Sequence, residues 1–122
     1  MKIFLDAGHS VGGGNAGAER YNLKEQDITF GIVMLLAKKL SDVGFDIMVS
    51  RENVGDVLGT NASTSLSKRA SLANTWGADV FISIYCNAST NNTARVRNNL
   101  KTVFNTAVML TVNMFIIFIG NI

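Results

Sequence analysis

The chain has 122 residues, of which 48% are hydrophobic and 16% are charged, and its formal net charge is +2. This length supports one domain with one core, and the hydrophobic fraction excludes a disordered chain. So mild a positive charge does not support binding to nucleic acid. The single cysteine, Cys86, excludes an internal disulfide.

The first residues predict a buried strand rather than a secretion signal. Residues 2–5 form a short apolar run, and the acidic Asp6 follows directly. An acidic residue at this position interrupts anything that resembles the apolar core of a signal peptide. We therefore expect the chain, as written, to be cytoplasmic unless another component releases it.

A glycine-rich loop at residues 8–17 separates this strand from the first predicted helix. Asn22 is the predicted N-cap, which places Glu25 at the capping-box position three residues later. Gly44 is the predicted C-terminal stop. Beyond Asn22, apolar side chains recur at the three- and four-residue steps of an amphipathic helix: Ile28, Ile32, Leu35, Leu36 and Leu40.

Strand and helix then alternate once more. Residues 45–50 predict a strand, residues 54–64 a polar loop, residues 66–76 a helix and residues 80–85 a buried strand. This alternation predicts a three-layer α/β fold with a mainly parallel sheet. The second helix is expected to turn Leu66, Ala70, Leu72 and Ala73 inward and to leave Lys68 and Arg69 near solvent.

The C-terminal stretch has a different composition, with no charged residue at positions 102–122. It could anchor the chain in a membrane, with Arg95, Arg97 and Lys101 on the cytoplasmic side. However, Asn and Thr residues interrupt its apolar core, and a membrane span needs about 20 mainly apolar residues. Covering an otherwise open sheet is the alternative.

Three segments in order carry a family resemblance: Leu5-Asp6-Ala7-Gly8-His9, Leu23-Lys24-Glu25-Gln26-Asp27 and Ile82-Ser83-Ile84-Tyr85-Cys86-Asn87-Ala88. Together they resemble the zinc-dependent N-acetylmuramoyl-L-alanine amidases of the amidase-3 family, over about residues 1–95. The resemblance implies a peptidoglycan substrate and cleavage of the amide between N-acetylmuramic acid and L-alanine. It also implies a zinc ion that is held by a His, a Glu and a second His and that activates a bound water.

His9 and Glu25 match the first two ligand positions, whereas Tyr85 stands where the second His is expected. A phenol ligates only through its oxygen, and its ordinary pKa of about 10 disfavours the phenolate at neutral pH. We therefore expect zinc to bind weakly or not at all to His9, Glu25 and Tyr85. Cys86 is expected to face the other side of the strand as a small buried residue.

The resemblance also implies a late catalytic Glu that acts as general acid/base, and no Asp or Glu follows Asp79. We therefore predict no catalytic residue of this kind and an impaired or inactive hydrolase. From Val96 onward nothing resembles the family, which suggests a truncated or frameshifted copy. On this interpretation residues 1–95 form the amidase-like domain and residues 96–122 an unmatched apolar tail.

Two other functions are open. One is a non-catalytic remnant that binds the cell wall or is tethered to a membrane. The other is a dinucleotide-binding domain, because Gly12, Gly14 and Gly17 fit the spacing G-x-G-x-x-G. In that fingerprint the glycines follow the strand at once and open the helix, whereas here they begin late and the predicted helix starts after them.

Overall fold

The computed structural model describes residues 1–87 and 113–121. Within them the chain forms an α/β fold with a four-stranded parallel sheet in the order β4-β1-β5-β6, which confirms the predicted fold class. A separate antiparallel pair joins β2 to β3. The elements are β1 Lys2–Ala7, β2 Glu19–Arg20, β3 Leu23–Lys24, α1 Glu25–Asp42, β4 Asp46–Val49, α2 Ala62–Trp76, β5 Val80–Asn87 and β6 Asn113–Asn121.

Both faces of the inner strand β1 are buried, because each face is covered by a helix. Ile3, Leu5 and Ala7 pack in a cluster with Val33 and other residues of α1. Phe4, between them in sequence, faces α2 and stacks on Phe81 of β5 with ring centroids 5.4 Å apart. Alternation along one strand therefore produces two cores and the three layers of the fold.

The first helix begins at Glu25, so the prediction of Asn22 as its N-cap is wrong. Lys24 is the N-cap and makes no side-chain capping bond. Asn22 instead lies in the two-residue turn between β2 and β3, with a φ of 61°. Asn favours both N-caps and left-handed turns, so the same residue suits two structures. Gly44 does follow the helix, with a φ of 96°.

The second helix begins at Ala62, four residues before the predicted start at residue 66. Asn61 caps it: its side chain accepts a hydrogen bond from the Thr64 N–H at 2.9 Å, and the Thr64 hydroxyl accepts one from the Asn61 N–H at 3.0 Å. This is a capping box with Thr in place of Glu. Gly77 ends the helix in the left-handed conformation.

Arg69 is fully buried, so its predicted position near solvent is wrong. Its guanidinium donates to Asp6 and to the Ala7 carbonyl at 2.5 Å each, and to the His9 carbonyl at 2.6 Å. Asp6 is also fully buried, and its second oxygen accepts a hydrogen bond from Ser83 at 2.5 Å. The ion pair thus ties α2 to β1 and β5. Lys68, in contrast, is exposed as predicted.

Part of the predicted tail belongs to the sheet. Residues 113–121 form β6, which pairs in parallel with β5 and therefore extends the sheet instead of covering one of its faces. The remainder of the tail lies outside the described residues, as do Arg95, Arg97 and Lys101. Among the residues that the structure describes, no helix is both long enough and apolar enough to cross a membrane.

Substitution of Arg69 by Met should strongly destabilise the fold, because Asp6 would stay buried without its counter-charge. We expect Arg69→Met to lower the free energy of unfolding by about 3–5 kcal/mol, measured by urea denaturation. Lys68→Met is the matched control on the exposed side of the same helix. It should change the free energy of unfolding by less than about 0.5 kcal/mol. Equal effects of the two variants would contradict a structural role for the ion pair.

Candidate functional site

The structure brings the three predicted site residues together at the carboxyl ends of β1 and β5. His9 follows β1, Glu25 opens α1, and Tyr85 lies near the end of β5. His9 Nε2 is 3.3 Å from Glu25 Oε1. The rings of His9 and Tyr85 meet edge to face, with centroids 5.2 Å apart. The carboxyl edge of a parallel sheet is where α/β proteins place their ligands.

His9 is held in an unusual backbone conformation, with a φ of 62°. Left-handed conformations are uncommon outside glycine and persist where the surroundings determine them. Here the Arg69 guanidinium fixes the His9 carbonyl, and the imidazole Nδ1 donates to the Asn15 carbonyl at 3.3 Å. Asn15 is itself anchored, because its side-chain amide donates to Ser65 Oγ at 2.9 Å. The imidazole is therefore oriented by the loop and by α2 together.

Two glycines allow this close packing. A Cβ on Gly8 would lie 2.7 Å from ring carbons of Tyr85, so the absence of a side chain lets the phenol ring lie over the backbone. A Cβ on Gly17 would lie 2.9 Å from both Glu25 Oε2 and the imidazole of His9. Real Cβ atoms essentially never lie this close to another heavy atom, so a side chain at either position would force its neighbours to shift.

Glu25 is a buried carboxylate with a partner for each oxygen. Oε2 accepts a hydrogen bond from the Ala18 N–H at 3.0 Å, and Oε1 accepts one from the Cys86 N–H at 2.8 Å. Burial acts to raise the pKa of Glu25, but the hydrogen bonds from His9, Ala18 and Cys86 outweigh it and lower the pKa below 4.5. Glu25 is therefore ionised at neutral pH, and its carboxylate joins α1 to β5 instead of capping its own helix.

Both nitrogens of the His9 ring face oxygen acceptors, Asn15 O and Glu25 Oε1. A neutral imidazole has one N–H and can satisfy only one of them. The second position therefore suits a proton or a cation between Nε2 and Oε1. Two ligands of a tetrahedral zinc with bonds of about 2.0–2.1 Å lie about 3.3 Å apart, which matches the observed separation of these two atoms. His9 and Glu25 thus fit two positions of a zinc site.

The third position does not fit. The pKa of the Tyr85 phenol is raised, first by burial and then by the negative charge of Asp6, so the hydroxyl is neutral. Burial, together with the charge of Glu25, also raises the pKa of the Cys86 thiol, which is buried as predicted. In the two described ranges, no three His, Cys, Asp or Glu side chains are grouped closely enough to hold a metal ion. The donor set therefore does not complete a zinc site.

The network of Asp6, Arg69 and Ser83 beneath the site was missed by sequence reasoning. One signal was present: Asp6 stands within an apolar strand that is buried on both sides, and a buried charge requires a partner. The partner is 63 residues away on another element, so no local pattern reveals it.

The dinucleotide fingerprint does not have its required context. The turns at Gly12, Gly13 and Gly14 are followed by the β2–β3 pair before α1 begins at Glu25. Because these glycines neither follow β1 directly nor open the helix, they do not present a helix N-terminus to a pyrophosphate.

The fold and the His–Glu pair define an α/β domain with an imidazole and a carboxylate in contact at the carboxyl edge of its sheet. The sequence model of the Amidase_3 family, described as N-acetylmuramoyl-L-alanine amidase, matches residues 3–106. The chain therefore belongs to the N-acetylmuramoyl-L-alanine amidase family. The match includes most of the region predicted from the sequence and extends past residue 95.

Two curated relatives come from bacilli. The N-acetylmuramoyl-L-alanine amidase CwlM of Bacillus licheniformis is 35% identical over 88 residues, and the sporulation-specific N-acetylmuramoyl-L-alanine amidase of Bacillus subtilis is 36% identical over 90. Each alignment covers 72% of this chain and 32% of the relative. The chain thus spans about a third of the length of the curated relatives it matches.

Solved structures agree with the fold. An N-acetylmuramoyl-L-alanine amidase from Clostridium difficile 630 is 39% identical, with a TM-score of 0.62 over 76% of this chain and 47% of that one. The CwlD amidase from Clostridioides difficile has a TM-score of 0.65 over 94% of this chain and 70% of that one. At 21% identity, the second similarity shows the fold alone.

The lowered pKa of Glu25 predicts an acid-sensitive contribution to stability. A carboxyl with a depressed folded pKa stabilises the fold above its ordinary pKa of 4.5, and this contribution disappears as the pH falls through the lowered value. We expect thermal unfolding between pH 7 and pH 3 to show a shallower decline in Tm for Glu25→Gln than for the unmodified chain. Glu52→Gln, at an exposed glutamate, is the control and should follow the unmodified chain. If Tm fell equally with pH in the unmodified chain and in both variants, the acid-sensitive contribution of Glu25 would be contradicted.

Proposed function

We propose that this chain is a peptidoglycan amidase domain whose hydrolytic activity is strongly impaired. Its substrate class is peptidoglycan, and the bond concerned is the amide between N-acetylmuramic acid and L-alanine. Family membership supports the substrate class. The paired His9 and Glu25 at the carboxyl edge of the sheet support the position of the site.

One observation carries the impairment: the neutral ring of Tyr85 lies against His9 at the third ligand position. Three protein ligands and an open fourth position are the usual requirement for catalytic zinc, which then activates water and polarises a carbonyl. His9 and Glu25 would hold such an ion by only two ligands. Residues 88–122 contain no His, Cys, Asp or Glu that could add a third.

The second requirement of the proposed reaction is a general acid/base. No Asp or Glu follows Asp79 in the sequence. Asp56, in the loop after β4, accepts hydrogen bonds from the backbone N–H groups of Glu52 and Asn53 at 2.9 Å each. Its carboxylate is therefore engaged within its own turn.

A binding role without catalysis is the second candidate function. The observation that favours it is that the hydrogen bonds around His9 and Glu25 are in place although Tyr85 stands at the third ligand position. Glu25 keeps both backbone partners, and His9 keeps its contact with Asn15. A membrane tether through residues 102–122 and a cytoplasmic location both stay predictions.

The metal test is substitution of Tyr85 by His. Loss of a group that only hydrogen-bonds to a metal ligand typically costs about 10–100-fold in metal affinity, so gain of a direct ligand should change the affinity by at least about that factor. Isothermal titration with zinc should therefore show weak or no binding by the unmodified chain and clearly tighter binding by Tyr85→His. Tyr85→Phe is the control, because it keeps the ring without a ligand atom. Tight stoichiometric zinc in the unmodified chain would contradict the proposed impairment.

The activity test uses the same variant. Loss of a positioned general acid/base typically costs 10²–10⁴-fold, so Tyr85→His should recover zinc while its turnover stays lower than that of a complete family amidase by about this factor. The assay is the release of new amino termini from purified peptidoglycan. Full turnover by either form would contradict the prediction and would make Glu52 and Asp56 the first residues to substitute.

A further inference from the structure

A strained turn lies beside the site. Tyr21 and Asn22 connect β2 to β3, and their φ angles are 52° and 61°. Two-residue hairpin turns with positive φ at both positions favour Asn, Asp and Gly. Asn22 meets this preference. A tyrosine in the left-handed region is a genuine outlier, because its bulky side chain disfavours that conformation.

Burial does not explain the choice of tyrosine, because the Tyr21 side chain is 80% exposed. Its ring is contacted by the neighbouring residue, Arg20. The guanidinium of Arg20 lies 4.8 Å from the centre of the Tyr21 ring, and Arg20 Nη2 donates to the Tyr21 hydroxyl at 3.2 Å. Leu23, the next strand residue, is also half exposed. The tip of the hairpin therefore displays an aromatic ring with a cation fixed beside it.

The base of this hairpin is joined to the proposed site. The Glu25 N–H donates to the Ala18 carbonyl at 2.9 Å, and the Ala18 N–H donates to the Glu25 carboxylate at 3.0 Å. Each strand of the hairpin adds two residues beyond this base. At about 3.3 Å per residue, the tip stands roughly 7 Å beyond the Ala18–Glu25 bridge. The tip is therefore close enough to Glu25 for a single bound polymer to contact both.

We propose that Arg20 and Tyr21 form a binding platform for peptidoglycan at the rim of the site. The face of an aromatic ring is electron-rich, and the C–H bonds on the face of a sugar ring are its natural partners. A guanidinium binds carboxylates through paired hydrogen bonds, and the peptide stems of peptidoglycan carry carboxylates. The identity of the polymer rests on the proposed function. The existence of the platform rests on the exposed, strained tyrosine and its fixed arginine.

A substitution in the turn can separate an effect on binding from an effect on stability. Asn tolerates positive φ better than Tyr, so Tyr21→Asn should keep or raise the Tm while it weakens co-sedimentation with purified peptidoglycan on the order of tenfold. Tyr21→Phe should retain most of the binding. Val43→Asn, at an exposed apolar residue beyond the far end of α1, is the matched control and should bind as the unmodified chain does.

A second arm tests the arginine. Arg20→Gln should weaken binding to peptidoglycan with intact peptide stems but not to glycan strands from which the stems have been removed. Unchanged binding by Tyr21→Asn, or a joint loss of Tm and binding, would overturn the platform. If the unmodified chain does not sediment with peptidoglycan at all, the proposed function fails as well. If the unmodified chain sediments and Tyr21→Asn binds as well as Val43→Asn does, the platform alone fails.

Discussion

The buried ion pair between Asp6 and Arg69 is the interaction on which the rest of the structure depends. Removing two charged groups from water costs free energy unless each of their donors and acceptors finds a partner in the protein. Here the guanidinium reaches Ser65, Asp6, Ala7 O and His9 O, and the second oxygen of Asp6 accepts from Ser83. This requirement fixes α2, β1, β5 and the loop at His9 relative to one another. The backbone at His9 is thus held by an arginine 60 residues away.

The phenol of Tyr85 stays protonated chiefly because it is buried, and the negative charge of Asp6 adds to this effect on its pKa. Arg69, which is ion-paired with Asp6, lowers the pKa of Tyr85 and so acts in the opposite direction. Because the two charges beneath the ring oppose each other, burial decides that the hydroxyl keeps its proton.

The elements that were predicted correctly are those whose signal is local. The apolar runs of β1 and β5 and the three- and four-residue steps of α1 identify buried strands and a helix from neighbouring residues alone. His9, Glu25 and Tyr85 could be placed together because parallel strands end at one edge of the sheet. The burial of Arg69 could not be predicted, since its partner is distant in sequence. The turn at Asn22 could not be predicted either, because asparagine is favoured both at helix N-caps and in left-handed turns.

Backbone strain in this chain is concentrated around the proposed site. In the described residues, the non-glycine positions with positive φ are His9, Tyr21 and Asn22, and all three lie between β1 and α1. Strained residues persist only where a rigid frame holds them, and they are enriched at ligand-facing sites. The ion pair supplies that frame for His9, and the Ala18–Glu25 bridge supplies it for the hairpin. The segment between β1 and α1 is therefore held at both His9 and the hairpin by residues of other elements, Arg69 of α2 and Glu25 of α1.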